Sequence, residues 1–573
     1  MRQVNNKSLL KTPIVPYWVP GLFHSISLFD PHAYLHKLIK SFGTSKPLEV
    51  KAAWFRFTIL ANPEHIKTVF RKSKQVANKS TTLFALEYLL GMPKVAVRLF
   101  LADDSGMGII PRKGSTVQAD RRINFLIAHS ATKLLQGTHL EALNKRYLTI
   151  LLRNIDALVC MIAGSSVEAI AGSKLQELYP TFVEDLSLFT SYVPKFLHLL
   201  PRWLIPDAFR VRERLLTGIK AWHAHAHQHS DCNKIGLDDP EWEPYFGIKL
   251  VRRRQQYALK LKEMTADARA TEDLGLLFAS TTNVVPSAFW FILEVLRDPV
   301  LQSRLKAEVA ASSANTRPSS EEEATTMTTT TTTAVFNNAV LVAQPLLQSA
   351  YAECLRLYVT MSVTRVAEHA DVHIAGYTLP KDSFVVMYSH LLALDADAWT
   401  RAGRVLTKPL EEFDAERFLV APEWVRPPPQ GSLEAREAEK RDADVKVKAI
   451  INISTTAGKT GEVARENNGK KDPNTILSYD GRRFSMDGLL GLWIPYGGGD
   501  HICPGRHFAK QEIILTFAAL FTLFDIELAF DSPDAAARVH PDMKHAPFGA
   551  LPPVGKVPFR MRRKVRTETG GAV

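Results

Sequence analysis

A single cysteine in a glycine-rich turn is the residue best suited to chemistry in this chain. Cys503 comes shortly after three consecutive glycines and is followed by Pro504 and Gly505, after which the sequence takes on a helical pattern. A cysteine beside a helix N-terminus lies in positive potential, which favours the thiolate, the form that binds metals. Glycines let a backbone approach a flat ligand closely, and the N–H groups of such a turn can donate to the sulfur. Cys503 is therefore a candidate metal ligand.

Two other interpretations of this loop remain open. Glycines before a helix are also typical of phosphate-binding loops, but the run from Gly497 to Gly505 matches neither the dinucleotide-binding nor the Walker spacing. The cysteine could also be an inert residue in a tight turn. His501, two residues before the cysteine, favours a ligand site because it is placed to reach an anionic group at the edge of a bound ligand.

A mainly helical chain must position this loop. Apolar residues recur with helical spacing over residues 120–310 and 505–525, and short alternating segments near 52–60 and 372–386 indicate strands. Two polar stretches, 311–334 with its threonine tract and 421–475, are predicted to be disordered inserts within one domain. The expected fold is mainly α with small β-sheets, in a single large domain over residues 31–573.

Composition restricts the partners of the chain. It has 573 residues, 46% of them hydrophobic, and a net charge of +12, which favours acidic partners such as an anionic membrane or an acidic protein. No zinc-finger or RNA-binding signature accompanies the charge, so nucleic acid is not an expected partner. The four cysteines are scattered and form no CxxC pair, which argues against a disulfide framework and for a reducing compartment.

Two apolar stretches bear on a membrane. Three prolines interrupt the apolar residues of segment 1–30, so this segment is not expected to span a bilayer. The uncharged stretch 274–293 is long enough, but four consecutive polar residues (280–283) and a proline near its centre would be costly in lipid. We predict that this stretch is a core helix whose polar centre faces a cofactor.

One histidine cluster is not expected to bind metal. His223, His225, His227 and His229 would form two i, i+4 pairs on a helix, a spacing that can bind metal ions. No carboxylate or cysteine motif completes such a site, and the flanking residues are polar. We predict that these four histidines are exposed.

With these features in place, the cysteine loop resembles the haem-binding loop of the cytochrome P450 superfamily. The family pattern Phe-x-x-Gly-x-Arg/His-x-Cys-x-Gly is matched by Tyr496, Gly499, His501, Cys503 and Gly505, with tyrosine in place of phenylalanine. The tyrosine keeps an aromatic wall beside the sulfur, although its hydroxyl needs a partner. The resemblance implies the cytochrome P450 fold around a buried haem b. It also implies Cys503 as axial iron ligand, His501 on a propionate, and the other three residues in contact with the cofactor.

Further motifs follow in the order found in this family. Glu353 and Arg356 resemble its Glu-x-x-Arg pair, and Arg417 lies in a segment resembling its Pro-Glu-Arg-Phe motif. The resemblance implies a structural network of these three residues behind the haem. Arg365 stands where the family commonly places an arginine that binds a propionate. A lone Glu-x-x-Arg is usually a surface pair, whereas the ordered set of motifs is specific.

The predicted core helix departs from the usual family pattern. Most members carry an acid–threonine pair there, which helps to deliver protons. This chain has Thr281, Thr282 and Asn283 instead, followed by Pro286 and a Phe-Trp pair, and so resembles the branch of sterol 7-hydroxylases and prostacyclin synthase. The two threonines or Asn283, with ordered water, are the candidates for the catalytic role. Alternatively, these polar residues only relieve a helix kink at the proline.

The resemblance implies a haem-thiolate monooxygenase that hydroxylates or oxidises an apolar molecule, such as a sterol, a terpenoid or another secondary metabolite. It would use O₂ and electrons that pass from NADPH through a flavoprotein of the cytochrome P450 reductase type. Arg482, Arg483, Arg506 and Lys510 flank the loop and are predicted to form a basic face for that acidic partner. Two alternatives are a haem-dependent isomerase or dehydratase of a peroxide substrate, which needs no reductase, and a non-catalytic haem-binding protein.

The N-terminal segment bears on localisation. Members of the family usually carry an N-terminal helix that anchors them to the endoplasmic reticulum, followed by a proline-rich hinge. Residues 1–30 resemble the hinge and lack the anchor. We therefore expect a mis-assigned start of the reading frame, or a protein that contacts the cytosolic face of the endoplasmic reticulum peripherally and is otherwise cytoplasmic.

Overall fold

The computed structural model describes residues 10–564, with the exception of positions 18, 156–160, 234, 237, 314–335, 428–475, 477 and 479. Of the two predicted inserts, residues 311–313 end a helix and residues 421–427 are described, and the rest of both lies outside the described residues. The described part of the proline-rich segment runs beside the first strands, because the Val15 amide donates to the carbonyl of Glu49.

Helices make up most of the described chain, as the periodicity predicted. In chain order they are α1 (Pro31–Phe42), α2 (Pro63–Arg71), α3 (Lys79–Phe84), α4 (Lys94–Ala102), α5 (Ile123–Leu134), α6 (Gly137–Asn154), α7 (Met161–Ala171), α8 (Ser173–Leu178), α9 (Phe182–Leu197), α10 (Pro206–His229), α11 (Lys249–Ala258), α12 (Ala266–Thr282), α13 (Val284–Arg297), α14 (Pro299–Ser313), α15 (Asn338–Val342), α16 (Pro345–Tyr358), α17 (Ser389–Ala393), α18 (Ala396–Arg401), α19 (Arg506–Leu523) and α20 (Pro533–Ala537).

The strands are short and lie in small sheets. They are β1 (Leu10–Lys11), β2 (Leu48–Ala52), β3 (Phe55–Ile59), β4 (Trp242–Glu243), β5 (Gly247–Ile248), β6 (Val359–Val366), β7 (Val372–Ile374), β8 (Tyr377–Leu379), β9 (Phe384–Tyr388), β10 (Leu419–Val420), β11 (Arg483–Phe484), β12 (Phe524–Leu528), β13 (Phe548–Ala550) and β14 (Phe559–Arg563). The largest sheet has the order β13-β6-β9-β3-β2 and is antiparallel except for the β9–β3 pair. The predicted mainly α fold with small sheets is confirmed.

The predicted core helix is the pair α12–α13, interrupted at Asn283. Pro286 has no amide proton, so the carbonyl of Thr282 loses its usual partner at this point. The residues from 266 to 297 are long and apolar enough to cross a membrane by length and composition alone. In the fold, α12 packs against α7, α9 and α10, and α13 packs against α16 and α19. The structure therefore places this helix in the protein core.

A buried tryptophan fixes α13 in that core. The indole N–H of Trp290 donates to the carbonyl of Leu551 at 2.7 Å, and its ring stacks on Tyr358 with the centroids 4.1 Å apart. Trp290 is fully buried, so its only polar atom needs the partner that it finds. These contacts join α13 to α16 and to the residue that follows β13.

The prediction for the histidine cluster is wrong in part. His223 is buried, with its Nε2 atom 2.9 Å from Oδ2 of Asp273, and His227 is half-buried beside Gln255. His225 and His229 lie on another face of α10, where their rings are 4.5 Å apart. His225 is half-buried, so His229 alone of the four is exposed as predicted.

Candidate functional site

The cysteine loop connects Trp493 to α19 and is closed by its own backbone. The amide of Cys503 donates to the carbonyl of Tyr496 at 3.1 Å. The indole N–H of Trp493 donates to the carbonyl of Ala352 at 2.9 Å, which attaches the loop to α16. Of the three cysteines that the structure describes, two are buried and only Cys503 is exposed. Among them, it is the one whose sulfur a ligand can reach.

The electrostatics of the sulfur differ from the expectation. Burial of the sulfur among protein atoms raises the pKa of the Cys503 thiol above its ordinary value, although the residue as a whole is exposed. The amides of Gly505 and Arg506 and the charge of Arg506 lower this pKa, as a helix N-terminus should, but by less. The positive potential alone therefore does not produce a thiolate. A coordinated cation would, because it deprotonates a bound thiol outright.

Two of the loop glycines, Gly498 and Gly499, pack against residues of a distant segment that the sequence does not predict. A Cβ atom on Gly498 would overlap the ring of Phe70, and one on Gly499 would overlap the hydroxyl of Ser73. These neighbours lie in and just after α2, so the packing of this helix against the loop already excludes side chains at both positions. A Cβ atom on Gly505 would lie 3.8 Å from the cysteine sulfur, an ordinary contact distance.

The hydroxyl of Tyr496 has the partner that it needs. It is hydrogen-bonded to the hydroxyl of Tyr351, which projects from α16 and is buried. Burial is the main reason that the pKa values of both phenols are raised, so both stay neutral. The replacement of the usual phenylalanine is therefore accommodated by a second tyrosine 145 residues away in sequence.

Arg365 and His501 bring unmatched polar groups to the same side of the loop. Arg365 is buried and donates to the carbonyls of Thr364 and Gly498 at 2.7 and 2.8 Å. No carboxylate of the described residues pairs with it, and burial lowers its pKa to about 10. Nδ1 of His501 is buried without a hydrogen-bond partner in the described chain, and burial, followed by the Arg365 charge, lowers the pKa of this histidine to about 4.

Glu353, Arg356 and Arg417 meet in one buried ion cluster. Nε of Arg356 lies 2.6 Å from one carboxylate oxygen of Glu353, and Nε of Arg417 lies 2.9 Å from the other. The amide of Asp414 donates to that second oxygen at 3.0 Å. The guanidinium groups also donate to the carbonyls of Ala393, Lys408, Pro409 and Glu412. The cluster therefore fixes α16 to the segment before β10 with its charges well compensated.

The polar centre of the core helix has one oriented amide. The amide of Ala550 donates to Oδ1 of Asn283 at 2.9 Å. This bond decides which end of the side chain is oxygen, so the NH₂ group points elsewhere, and the described residues offer it no acceptor. Thr281 and Thr282 instead donate their hydroxyl protons to the carbonyls of Leu277 and Phe278 at 2.9 and 2.7 Å.

One strand links this amide to the cysteine loop. In β6, Val359 pairs with Ala550, the residue that holds Asn283. Arg365, which contacts the loop, lies six residues further along β6, roughly 20 Å away at strand spacing. Gly549 leaves room for the amide of Asn283, because a Cβ atom there would overlap its Oδ1 and would displace this side chain. The sequence does not predict this contact, since nothing in residues 549–550 identifies a partner 267 residues earlier.

Two of the four residues predicted to form a basic face, Arg482 and Lys510, have partners within the fold. Arg482 lies 2.6 Å from a carboxylate oxygen of Glu416 and also pairs with Asp480. Nζ of Lys510 donates to the side chain of Gln348 at 2.6 Å, and burial lowers its pKa to about 8. The charge of Arg482 is thus paired with local acids, and the ammonium group of Lys510 is buried by packing, so neither is free to form the predicted face.

Comparison with known proteins decides the family. The sequence profile of the cytochrome P450 family matches residues 12–429. The chain belongs to the cytochrome P450 family. Cytochrome P450 monooxygenase efuG of Hormonema carpetanum is 30% identical to this P450 over 96% of the chain and 90% of its own length. Cytochrome P450 monooxygenase fsoE of Humicola fuscoatra is 29% identical over 97% of the chain and 88% of its own. Cholesterol 7-alpha-monooxygenase of Cricetulus griseus is 25% identical over 66% of the chain and 58% of its own length.

This P450 is accordingly a haem-thiolate monooxygenase that depends on haem b, O₂, an organic substrate and an electron-transfer partner. The residues of the loop fit that cofactor. An accessible sulfur, a buried guanidinium without a described carboxylate and an unpartnered imidazole nitrogen form a donor set that suits an iron with anionic propionates. A buried cation without an acidic partner is costly, and a bound anion would remove that cost.

Proposed function

We propose that this P450 hydroxylates or otherwise oxidises an apolar small molecule, a sterol, a terpenoid or a related secondary metabolite, with Cys503 as the axial ligand of the haem iron. The observation that carries the proposal is the accessible sulfur of Cys503 beside the unmatched groups of Arg365 and His501. In this proposal those two residues hold the propionates, and Tyr496, Gly499 and Gly505 shape the loop around the cofactor.

The role of the polar helix centre follows from its hydrogen bonds. Haem b, when bound, supplies an iron whose thiolate ligand favours O–O cleavage. Asn283 keeps a free NH₂ group because its oxygen is held by Ala550, so it can order a water molecule or donate a hydrogen bond to substrate. Thr281 and Thr282 give their protons to helix carbonyls, which leaves only acceptor capacity. We therefore place Asn283 ahead of both threonines as the proton-positioning residue.

The substrate class rests on two lines of support. The asparagine, proline and Phe-Trp pattern resembles sterol-hydroxylating members of the family, and one relative is named a cholesterol 7-alpha-monooxygenase. The neighbouring surface of the core helix is apolar, with Phe278 packed against Phe189 at a centroid distance of 5.7 Å. An apolar ligand is favoured in such surroundings because burying it releases water from both surfaces.

Asn283→Asp is expected to uncouple the enzyme as strongly as Asn283→Ala. An aspartate retains the oxygen that accepts from Ala550 but loses both N–H donors, so it separates donation from helix packing. Removing one positioned donor should slow product formation by up to ~100-fold. The measurement is product formed, and hydrogen peroxide released, per NADPH consumed. If the Asn283→Asp variant formed as much product per NADPH as the wild type, the amide donors would have no catalytic role.

We propose a flavoprotein of the cytochrome P450 reductase type as the electron donor, docked on cations next to the cysteine loop. Arg71 and Lys74 are exposed, and they flank Ser73, whose hydroxyl accepts from the loop amide of Asp500 at 3.1 Å. Arg506, at the start of α19, adds a third positive charge close to the cysteine. This surface replaces the face predicted from sequence, which consisted of Arg482, Arg483, Arg506 and Lys510, and keeps only Arg506 of those four residues.

Reversing two of these charges should slow electron transfer. With Arg71→Glu and Lys74→Glu together, we expect slower reduction by the reductase at low salt and a weaker dependence of its rate on ionic strength. The matched control is Lys37→Glu with Lys40→Glu, two exposed lysines of α1. Equal rates for the loop variant and the wild type over the whole salt range would contradict this docking surface.

We also propose that this P450 contacts the endoplasmic reticulum membrane peripherally, from its cytosolic face. Phe29, Trp54 and Trp203 are 74%, 96% and 77% exposed. Their segments adjoin, because Phe23 bridges to Ala52 near Trp54 and the ring of Phe29 stacks on His198. Exposed aromatic residues of this kind suit the interfacial region of a bilayer.

Replacing Phe29, Trp54 and Trp203 together with serine should release the protein from lipid vesicles. We expect flotation with liposomes that contain anionic lipid to fall to the level of lipid-free samples. The control variant replaces Val405 and Val425 with serine, because these two valines are each 80% exposed and lie in other segments of the chain. Flotation that is lost equally in the control, or retained in the aromatic variant, would exclude this face as the contact.

A further inference from the structure

Three histidines far apart in sequence meet outside the cysteine loop. His32 and His36 are one turn apart on α1, and His390 lies in α17, directly after β9. One nitrogen of each ring lies within 4.8 Å of those of the other two. Nε2 of His36 and Nδ1 of His390 are only 3.0 Å apart. Three imidazoles therefore converge from two separate elements.

The spacing is close to that of a tetrahedral metal site. Zinc–nitrogen bonds of about 2.0–2.1 Å at tetrahedral angles put two ligand nitrogens roughly 3.3 Å apart. The His36–His390 pair, at 3.0 Å, needs to open only slightly to reach that value, and the His32 nitrogen lies within 4.8 Å of both others. All three rings are half-buried, so an ion can reach them and still leave one position for water.

The surroundings favour neutral rings that are held in place. Burial lowers the pKa of all three histidines, to about 4 for His36 and about 3 for His390, so each keeps a lone pair at neutral pH. The hydroxyl of Tyr388, fully buried in β9, lies 2.6 Å from Nδ1 of His32. A second partner of this kind commonly orients a metal-bound imidazole.

We propose that His32, His36 and His390 bind one transition-metal ion of the zinc class, with water as a fourth ligand. The ion joins α1 to the residues that follow β9, beside an apolar cluster that these elements already share, and so adds a metal link between the N-terminal part of the fold and the main sheet. This site is separate from the haem loop and does not depend on the proposed substrate. A direct hydrogen bond between two neutral rings is the metal-free state of the same site.

The test is zinc titration of the haem-loaded, full-length protein, made without a polyhistidine tag and stripped of metal with a chelator. Calorimetry should show one tight site, and zinc should remain bound at one ion per chain after gel filtration. His36→Asn or His390→Asn should abolish that retention. Tyr388→Phe, which keeps all three ligands, should weaken the affinity by ~10–100-fold, the usual effect of losing an outer partner.

The chain provides its own control in His225 and His229, an i, i+4 pair whose ring centroids lie 4.5 Å apart and which no third histidine of the described residues completes. Asparagine at both positions should leave zinc binding unchanged. The reduced carbon-monoxide spectrum of each variant reports that it is folded, and His32→Asn substitutes for any variant that is not. Zinc retained equally by the wild type and the His36 variant, or lost in the His225 and His229 variant, would overturn the site.

Discussion

Cys503→Ser is expected to abolish the red-shifted Soret band of the reduced, carbon-monoxide-bound protein. That band reports thiolate ligation of the haem iron, and a serine hydroxyl cannot supply the same electron donation. Monooxygenase activity should be lost with it, because the thiolate drives O–O cleavage. Cys232→Ala and Cys354→Ser are matched controls, since both of these cysteines are buried in the protein. They should retain the band.

The opposite result would remove the basis of the assignment. If Cys503→Ser kept the thiolate band while one of the control variants lost it, another cysteine would be the ligand. The glycine-rich loop would then be a structural turn. The unmatched groups of Arg365 and His501 would need another explanation.

Glu353→Ala should destabilise the protein more than any comparable surface change. It would leave the guanidinium groups of Arg356 and Arg417 buried without their shared carboxylate. Breaking a buried pair by removing one partner typically costs about 3–5 kcal/mol of the free energy of unfolding. We expect that loss in chemical denaturation, together with poor haem incorporation, since the cluster fixes α16 beneath the cysteine loop.

A second glutamate between two arginines, Glu416, provides a control because its cluster is partly exposed to solvent. Glu416 also lies between two arginines, Arg304 and Arg482, but all three side chains are about one-third exposed. Water screens such pairs, and each contributes about 1 kcal/mol or less. Glu416→Ala should therefore unfold close to wild type. Equal losses in the two variants would mean that burial does not set the strength of the Glu353 cluster.

Local patterns predicted the parts of this protein that depend on neighbours in sequence. The helical spacing predicted α12, α13 and α19, including the helix that begins directly after the cysteine loop. The order of the Glu353 and Arg417 motifs predicted the ion cluster because the family resemblance supplied the long-range contact. The domain limits and the two inserts remain predictions.

Contacts between distant segments could not be read in the same way. The amide of Ala550 orients Asn283 from 267 residues away, and no local signal in that strand indicates its partner. Lys510 seemed free in sequence, but packing brings Gln348 to its ammonium group. His223 seemed polar and exposed, but Asp273 provides a buried partner. In each case a single tertiary contact decides whether a polar residue is available for function.

Incorporation of labelled O₂ tests the central claim most directly. The enzyme is reconstituted with a cytochrome P450 reductase and NADPH and supplied with sterol and terpenoid candidates under labelled O₂. The account predicts a product that carries one labelled oxygen atom and forms only when the reductase is present. Turnover of a hydroperoxide or endoperoxide without reductase, giving a product with no label, would contradict the monooxygenase and identify a peroxide isomerase instead.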